Sequence, residues 1–266
     1  MFTTRAIAIP VVIAISAILL ATPPASLAQL RTGNIEINVR NVRVEGKPAR
    51  LSRKRFYMFS GGLAENAALL QRIKSAEIIS RNCYYKSLKA SDQFICWLQA
   101  ENCESPFCRV VEGKYIDAAD KQHVPEFLTA YKKGLALYRG KTGIAREWLL
   151  TNMADDLVNG FYRQQQKSLA TILGGVRPLQ SIMTDNAAIR AIFIDIPFAS
   201  GSPPKAKYLF TNVLPIQIGN KSYVWSCERD VEAGKSVILN LARTDKGCEV
   251  VERELNVCDT ASCEGV

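Results

Sequence analysis

The chain has 266 residues, 48% of them hydrophobic, with 34 Lys and Arg against 25 Asp and Glu, a formal net charge of +9, eight cysteines and one histidine. That balance excludes a disordered chain, a collagen-like repeat and a disulfide-dense miniprotein, and the length supports one large domain or two small ones. The single histidine, His123, confines any histidine-based triad or metal set to what can be built around that one side chain.

Arg5 is the lone charge before residue 31, and an apolar stretch runs from Ala6 to Ala21. Pro23-Pro24 and then Ser26-Leu27-Ala28 follow. This is the order of a secretory signal: a basic start, a short apolar region and a small-x-small cleavage site. The apolar run is interrupted by Pro10 and is short of the roughly 20 residues a membrane-spanning helix wants. Cleavage near Ala28 removes Arg5 and lowers the net charge to +8, and no second segment is long and apolar enough to span a membrane. The expected product is secreted or periplasmic.

Ile35, Ile37 and Val39 alternate with polar residues, Gly46-Lys47-Pro48 supplies turn chemistry, and Phe56-Tyr57-Met58-Phe59 is a β-prone run ended by Gly61-Gly62. The period then changes. Leu63, Ala67, Leu70 and Ile73 predict an amphipathic helix reaching about Ser80. Ser91 caps a short helix with Phe94, Ile95, Trp97 and Leu98, and 101–108 reads as a loop. Pro125 opens a further helix, another spans 145–150, and a longer one runs from about Asp155 to the Gly174-Gly175 terminator. Strands resume after Pro178: 189–196, Tyr208–Ile218 and Ser222–Arg229 around a Gly219-Asn220 turn, Ser236–Leu241 and Glu249–Leu255.

The cysteines, Cys83, Cys96, Cys103, Cys108, Cys227, Cys248, Cys258 and Cys263, all follow the cleavage site, and in an exported chain an even number of thiols pairs. Eight allow 105 connectivities, so pairing stays open, with chain proximity favouring Cys83–Cys96, Cys103–Cys108, Cys227–Cys248 and Cys258–Cys263. The two C-x4-C elements could instead hold zinc, but the spacing is loose and no histidine is near.

Few strands precede the helices, so the simplest closure pairs them with those after residue 180. The segment Val42-Arg43-Val44-Glu45-Gly46-Lys47-Pro48-Ala49, the strand 55–59, Thr184-Asp185-Asn186, Phe193–Pro197, Lys207-Tyr208 and the hairpin from Ile218 to Trp225 together resemble the carboxypeptidase-regulatory-like, or transthyretin-like, β-sandwich. Ala187 and Ala206 stand where that pattern has glycine, and the helical insertion exceeds the module in size. The resemblance implies a non-catalytic binding or scaffolding module and carries no catalytic residue.

Other motifs point to chemistry more weakly. Arg139-Gly140-Lys141-Thr142-Gly143 mimics the end of a phosphate-binding loop, but Leu135 occupies its first glycine position and a helix, not a strand, precedes it. Asp117, Asp120 and His123 recur every three residues, and a loop leading to the Pro125 helix explains them more simply. Asp155-Asp156 suits the first turn of a helix better than glycoside hydrolysis. The aromatics Trp97, Phe127, Tyr131, Trp148, Phe161 and Tyr162 are expected at the seam between helices and sandwich. The densest basic run, Arg50, Arg53, Lys54 and Arg55, is the candidate ligand-binding set, facing an envelope protein or an acidic glycan rather than nucleic acid.

The sequence therefore predicts an α+β protein: signal peptide 1–28, an antiparallel β-sandwich from 29–60 and 176–257, a helical insertion 61–175 and a cysteine-bearing tail 258–266. The expected function is that of an exported non-catalytic binding or scaffolding protein, with no cofactor or metal implied. The alternative is a secreted hydrolase acting on glycan or cell-wall substrates through unidentified carboxylates.

Overall fold

Among the described residues, eleven strands and six α-helices follow one another in the order expected, strands first, helices in the middle, strands last. The structure, a computed structural model, describes residues 32–40, 42–44, 47–49, 51–185, 187, 190–197, 205–218, 221–241, 247–254, 258 and 263. The signal-peptide segment, Arg50 and the Gly219-Asn220 turn lie outside the described residues.

β1 (Thr32–Asn38), β2 (Arg43–Val44), β3 (Lys47–Pro48) and β4 (Arg55–Ser60) precede the helices α1 (Ala67–Ser75), α2 (Arg81–Ser87), α3 (Asp92–Ala100), α4 (Pro125–Leu137), α5 (Thr142–Glu147) and α6 (Phe161–Leu173). β5 (Gln180–Met183), β6 (Arg190–Pro197), β7 (Lys205–Thr211), β8 (Ile216–Ile218), β9 (Lys221–Glu232), β10 (Ser236–Asn240) and β11 (Cys248–Glu254) follow. One sheet runs β10-β1-β6 and a larger one β11-β9-β7-β4-β5, with β8 beside β9; β1–β10 is parallel, the other pairs antiparallel. Lys47 and Pro48, expected in a turn, stand in a strand, opposite Val44 and Arg43.

Both sheets contribute to the sandwich core. Ile35, Ile37, Phe193 and Leu239 of the smaller sheet meet Phe56, Met58, Phe210 and Trp225 of the larger. The period of two then sends Tyr57, Phe59, Leu209 and Val224 to the opposite face, where α1 and α6 cover them with Leu69, Ile73, Leu169 and Ile172. This double burial explains why β4 has no polar face to alternate. A third core, within the helices, gathers Tyr85, Phe94, Trp97, Phe127 and Phe161, with Trp97 edge-on to Phe127 at 4.8 Å between ring centroids.

Local signals mark several helix ends. The Ser91 hydroxyl accepts from Phe94 N at 3.1 Å, and Glu126 in turn accepts from the Ser91 amide and hydroxyl. Pro125 stands in the first turn of α4, and Gly174 ends α6 with φ +54°. The first helix is shorter than expected: it stops at Ser75, and Ser80 instead caps α2 by accepting from Cys83 N.

Three arginines close helix C-termini from a distance. Arg72 donates to Ile172 O and Leu173 O at the end of α6, Arg81 to Leu98 O and Cys103 O after α3, and Arg253 to Ile73 O, Lys74 O and Ala76 O after α1. A last turn leaves carbonyls unpaired and carries a partial negative charge, so a guanidinium there is worth about 1 kcal/mol. Part of the basic excess is thus spent inside the fold.

The disulfide pattern corrects half of the proximity pairing. Cys103–Cys108 and Cys227–Cys248 form as expected, the latter between residues directly opposite on β9 and β11. Cys83 of α2 pairs with Cys258, and Cys96 of α3 with Cys263, with Cα atoms 5.1 and 5.4 Å apart. The C-terminal cysteines are joined to the helices, not to each other. No described cysteine is free, which fits an oxidising compartment. The described residues form one compact unit, and among them no helix is long and apolar enough to cross a membrane.

Candidate functional site

A cavity of about 670 Å³ opens where strands and helices meet. Its walls come from Lys54 ahead of β4, the segment 75–81 between α1 and α2, Glu104 after α3, one face of α6 and the β7–β8 junction. Phe161 and Gln165, four residues apart, present the α6 face.

The β7–β8 wall is built by a break in the strand. The residues expected to form one strand, 208–218, separate at Thr211, and the side chain of Asn212 takes over the missing ladder bonds. Its Oδ1 accepts from Trp225 N at 2.7 Å, and its Nδ2 donates to Tyr223 O at 3.0 Å and Leu214 O at 2.7 Å. Val213 lies at φ +48°, and Leu214 N bonds back to Asn212 O across it. A β-branched residue in that region is strained, and the strain is held by burial of Val213 in the core beneath α1 and α6 and by its amide donating to Thr211 Oγ1. The outcome is geometric: Leu214 and Pro215 leave the strand and line the cavity.

Opposite them lies the Lys54–Glu104 ion pair, with Nζ and Oε1 2.9 Å apart. Gln165 donates to the other carboxylate oxygen at 3.1 Å. Only 8% of the Lys54 side chain is accessible, against 44% of Glu104. Glu104 is half-buried: it lines this cavity and also a shallower depression with Arg53 and Cys108. Burial pushes its pKa up, but the Lys54 ammonium, the Gln165 amide and Arg81 outweigh that and hold it below the ordinary carboxylate value. The carboxylate stays ionised. The remaining wall includes Ile79, with Arg81 and Arg253 already bonded to backbone carbonyls.

The described residues of the candidate basic run each have a partner in the fold. Lys54 faces the cavity, Arg53 at φ +55° donates to Cys108 O, and Arg55 reaches Ser181 and Met183 on the neighbouring strand. Arg50 lies outside the described residues. Arg53 and Lys54 both line a shallow depression beside Glu104 and Cys108, whereas Arg55 lies along the neighbouring strand.

The remaining motifs resolve locally. Asp117 and Asp120 accept from the backbone amides two residues on, and His123 Nδ1 lies 2.8 Å from Asp120 O. Arg163 bridges Asp155 and Asp156. Lys141 is the N-cap of α5 and Thr142 its first residue, with a helix rather than a strand before them. Among the described residues, no group of three or more His, Cys, Asp or Glu is arranged to hold a metal ion. The aromatics divide: Trp97, Phe127 and Phe161 are buried in the helical core, whereas Trp148 and Tyr162 are exposed, contrary to the expectation of a seam. Glu104 and Asn212 were missed because neither belongs to a motif; each acquires its role from partners 50 and 13 residues away.

The fold and site together define a disulfide-linked α+β protein with a mixed polar and apolar cavity between its sheets and its helices. No family model, curated protein or solved structure matches the chain.

Proposed function

We propose that this chain is an exported binding protein of the cell envelope or extracellular space that holds a small molecule in the cavity beside Glu104. The wall carries the reading. An ionised carboxylate stands among Ile79, Phe161, Leu214 and Pro215, in a volume within the range of small-molecule sites, and this suits a ligand with an apolar body and one or two polar groups. The apolar N-terminal region with its small-residue cleavage site and the paired cysteines support export. Two facing sheets built from the segments that resemble the carboxypeptidase-regulatory-like module support reading the sandwich as such a scaffold.

The test is thermal melting of the oxidised mature chain against a panel of small molecules extracted from the exported fraction. A ligand at about 100 times its Kd raises the midpoint by roughly 5–10 °C for a domain of this size. Ile79→Trp, which fills the cavity, abolishes that shift. Protection that survives Ile79→Trp, or no protection by any compound, refutes the site. Conversion of the ligand during incubation points to the hydrolase.

A further inference from the structure

The described residues of the densest basic run, Arg53, Lys54 and Arg55, have partners in the fold, but a second basic region is free. α4 and α5 cross through small residues: a Cβ on Gly134 would lie 3.2 Å from both the Cα and the Cβ of Ala145. Between 132 and 148 these two residues alone are buried, and every residue from 139 to 144 is exposed. Three large apolar side chains are turned outward, with Leu137 60%, Ile144 36% and Trp148 50% accessible. An ordinary amphipathic helix does the reverse. Phe107 and Val110 of the adjoining loop are exposed too, lining an open groove with Gly143 and Arg146.

Lys132, Arg139, Lys141 and Arg146 are interleaved with these apolar residues, and Glu147 is the lone acid between 132 and 148. Among the described residues, none of these four cations forms a side-chain hydrogen bond or ion pair. Their backbone is fixed: Gly140 N bonds to Leu135 O at 2.8 Å, closing α4 with Arg139 and Gly140 both at positive φ.

We propose that this helical hairpin docks on an anionic membrane surface, with Leu137, Ile144 and Trp148 entering the boundary between headgroups and acyl chains while the cations meet the phosphates. Charge complementarity selects the anionic surface. The apolar groups select lipid over an acidic protein, because they project from an exposed turn with tryptophan at the interfacial position such residues favour. The hairpin shares no residue with the cavity, so the two readings fail independently.

Tryptophan fluorescence reads the contact directly. Of the three tryptophans, Trp97 and Trp225 are each 2% accessible, so a vesicle-induced blue shift reports Trp148. The probes are vesicles of phosphatidylcholine alone and of phosphatidylcholine with about one-third phosphatidylglycerol, added to the oxidised mature chain at low and at physiological salt. The expected result is a blue shift and co-flotation with the anionic vesicles only, weakening as salt rises. At roughly fivefold in affinity per basic residue near an anionic bilayer, Arg139→Glu with Lys141→Glu lowers partitioning by more than roughly 30-fold. Leu137→Ser with Ile144→Ser lowers it while leaving the near-ultraviolet circular dichroism unchanged. The same charge reversal at Lys167 and Arg177 leaves the shift intact. No shift with anionic vesicles, equal binding to phosphatidylcholine, or undiminished binding of the Arg139/Lys141 variant overturns the proposal. Binding to polyglutamate without vesicle binding overturns it in favour of an acidic protein partner.

Discussion

Glu104→Gln removes one charge from the cavity wall while keeping the size of the side chain and an oxygen for Gln165. The Lys54 ammonium, 8% accessible, then has no counter-charge at 2.9 Å. Breaking a fully buried pair costs about 3–5 kcal/mol, and an exposed one is worth about 0–1. Here one partner is buried and the other is 44% accessible, which places the cost near 2 kcal/mol. For a chain of this length that lowers Tm by about 4–8 °C. The pH dependence gives a second readout. The folded pKa of Glu104 lies below its ordinary value of 4.5, so the stabilisation is complete above that value and is lost as pH falls through the folded pKa. Urea denaturation of the oxidised proteins should therefore separate wild type from Glu104→Gln at neutral pH, and the gap should close in strong acid. Lys54→Met combined with Glu104→Leu should be less harmful than Lys54→Met alone, since it leaves no unpaired charge. Equal stability of wild type and Glu104→Gln at pH 7, or a gap that persists undiminished in acid, refutes the reasoning.

Asn212→Ala strands the Trp225 amide and the Tyr223 and Leu214 carbonyls, costing about 2–4 kcal/mol in denaturant titrations, whereas Asn212→Asp keeps the acceptor and loses the two donations. A Cβ on Gly160 would stand 1.9 Å from the Tyr84 hydroxyl, so Gly160→Ala should destabilise by about 1–3 kcal/mol, and Tyr84→Phe should recover part of that loss. Peptide mapping of the unreduced protein should yield the links Cys83–Cys258 and Cys96–Cys263; peptides joining Cys83 to Cys96 would contradict the topology. With Cys83–Cys258 intact, the second link closes only a loop of roughly 20 residues, so Cys96→Ser with Cys263→Ser should cost about 3 kcal/mol in the chain-entropy model.

What the sequence determined by itself is what short-range physics controls. Ser91 and Pro125 mark helix starts because capping acts within one turn, and Gly174-Gly175 marks an end because a left-handed residue is needed there. The paired β segments and the intervening helices follow from hydrophobic period, which reports the environment of each segment along its own axis. The even cysteine count was legible, but not its connectivity, since loop closure depends only weakly on chain separation and the helices bring Cys83 and Cys96 to the tail. Periodicity found the aromatic faces, yet only packing decided that Trp97 is covered and Trp148 is not, because Gly134 and Ala145 set which side of α5 meets α4. The basic run at 53–55 was visible as charge, but its role was decided by distant partners: Glu104 for Lys54, the Cys108 carbonyl for Arg53 and Ser181 for Arg55. The cavity belongs wholly to the tertiary structure. Its carboxylate, its strained Val213 and its strand break exist only where segments remote in sequence meet, and no local pattern encodes that meeting.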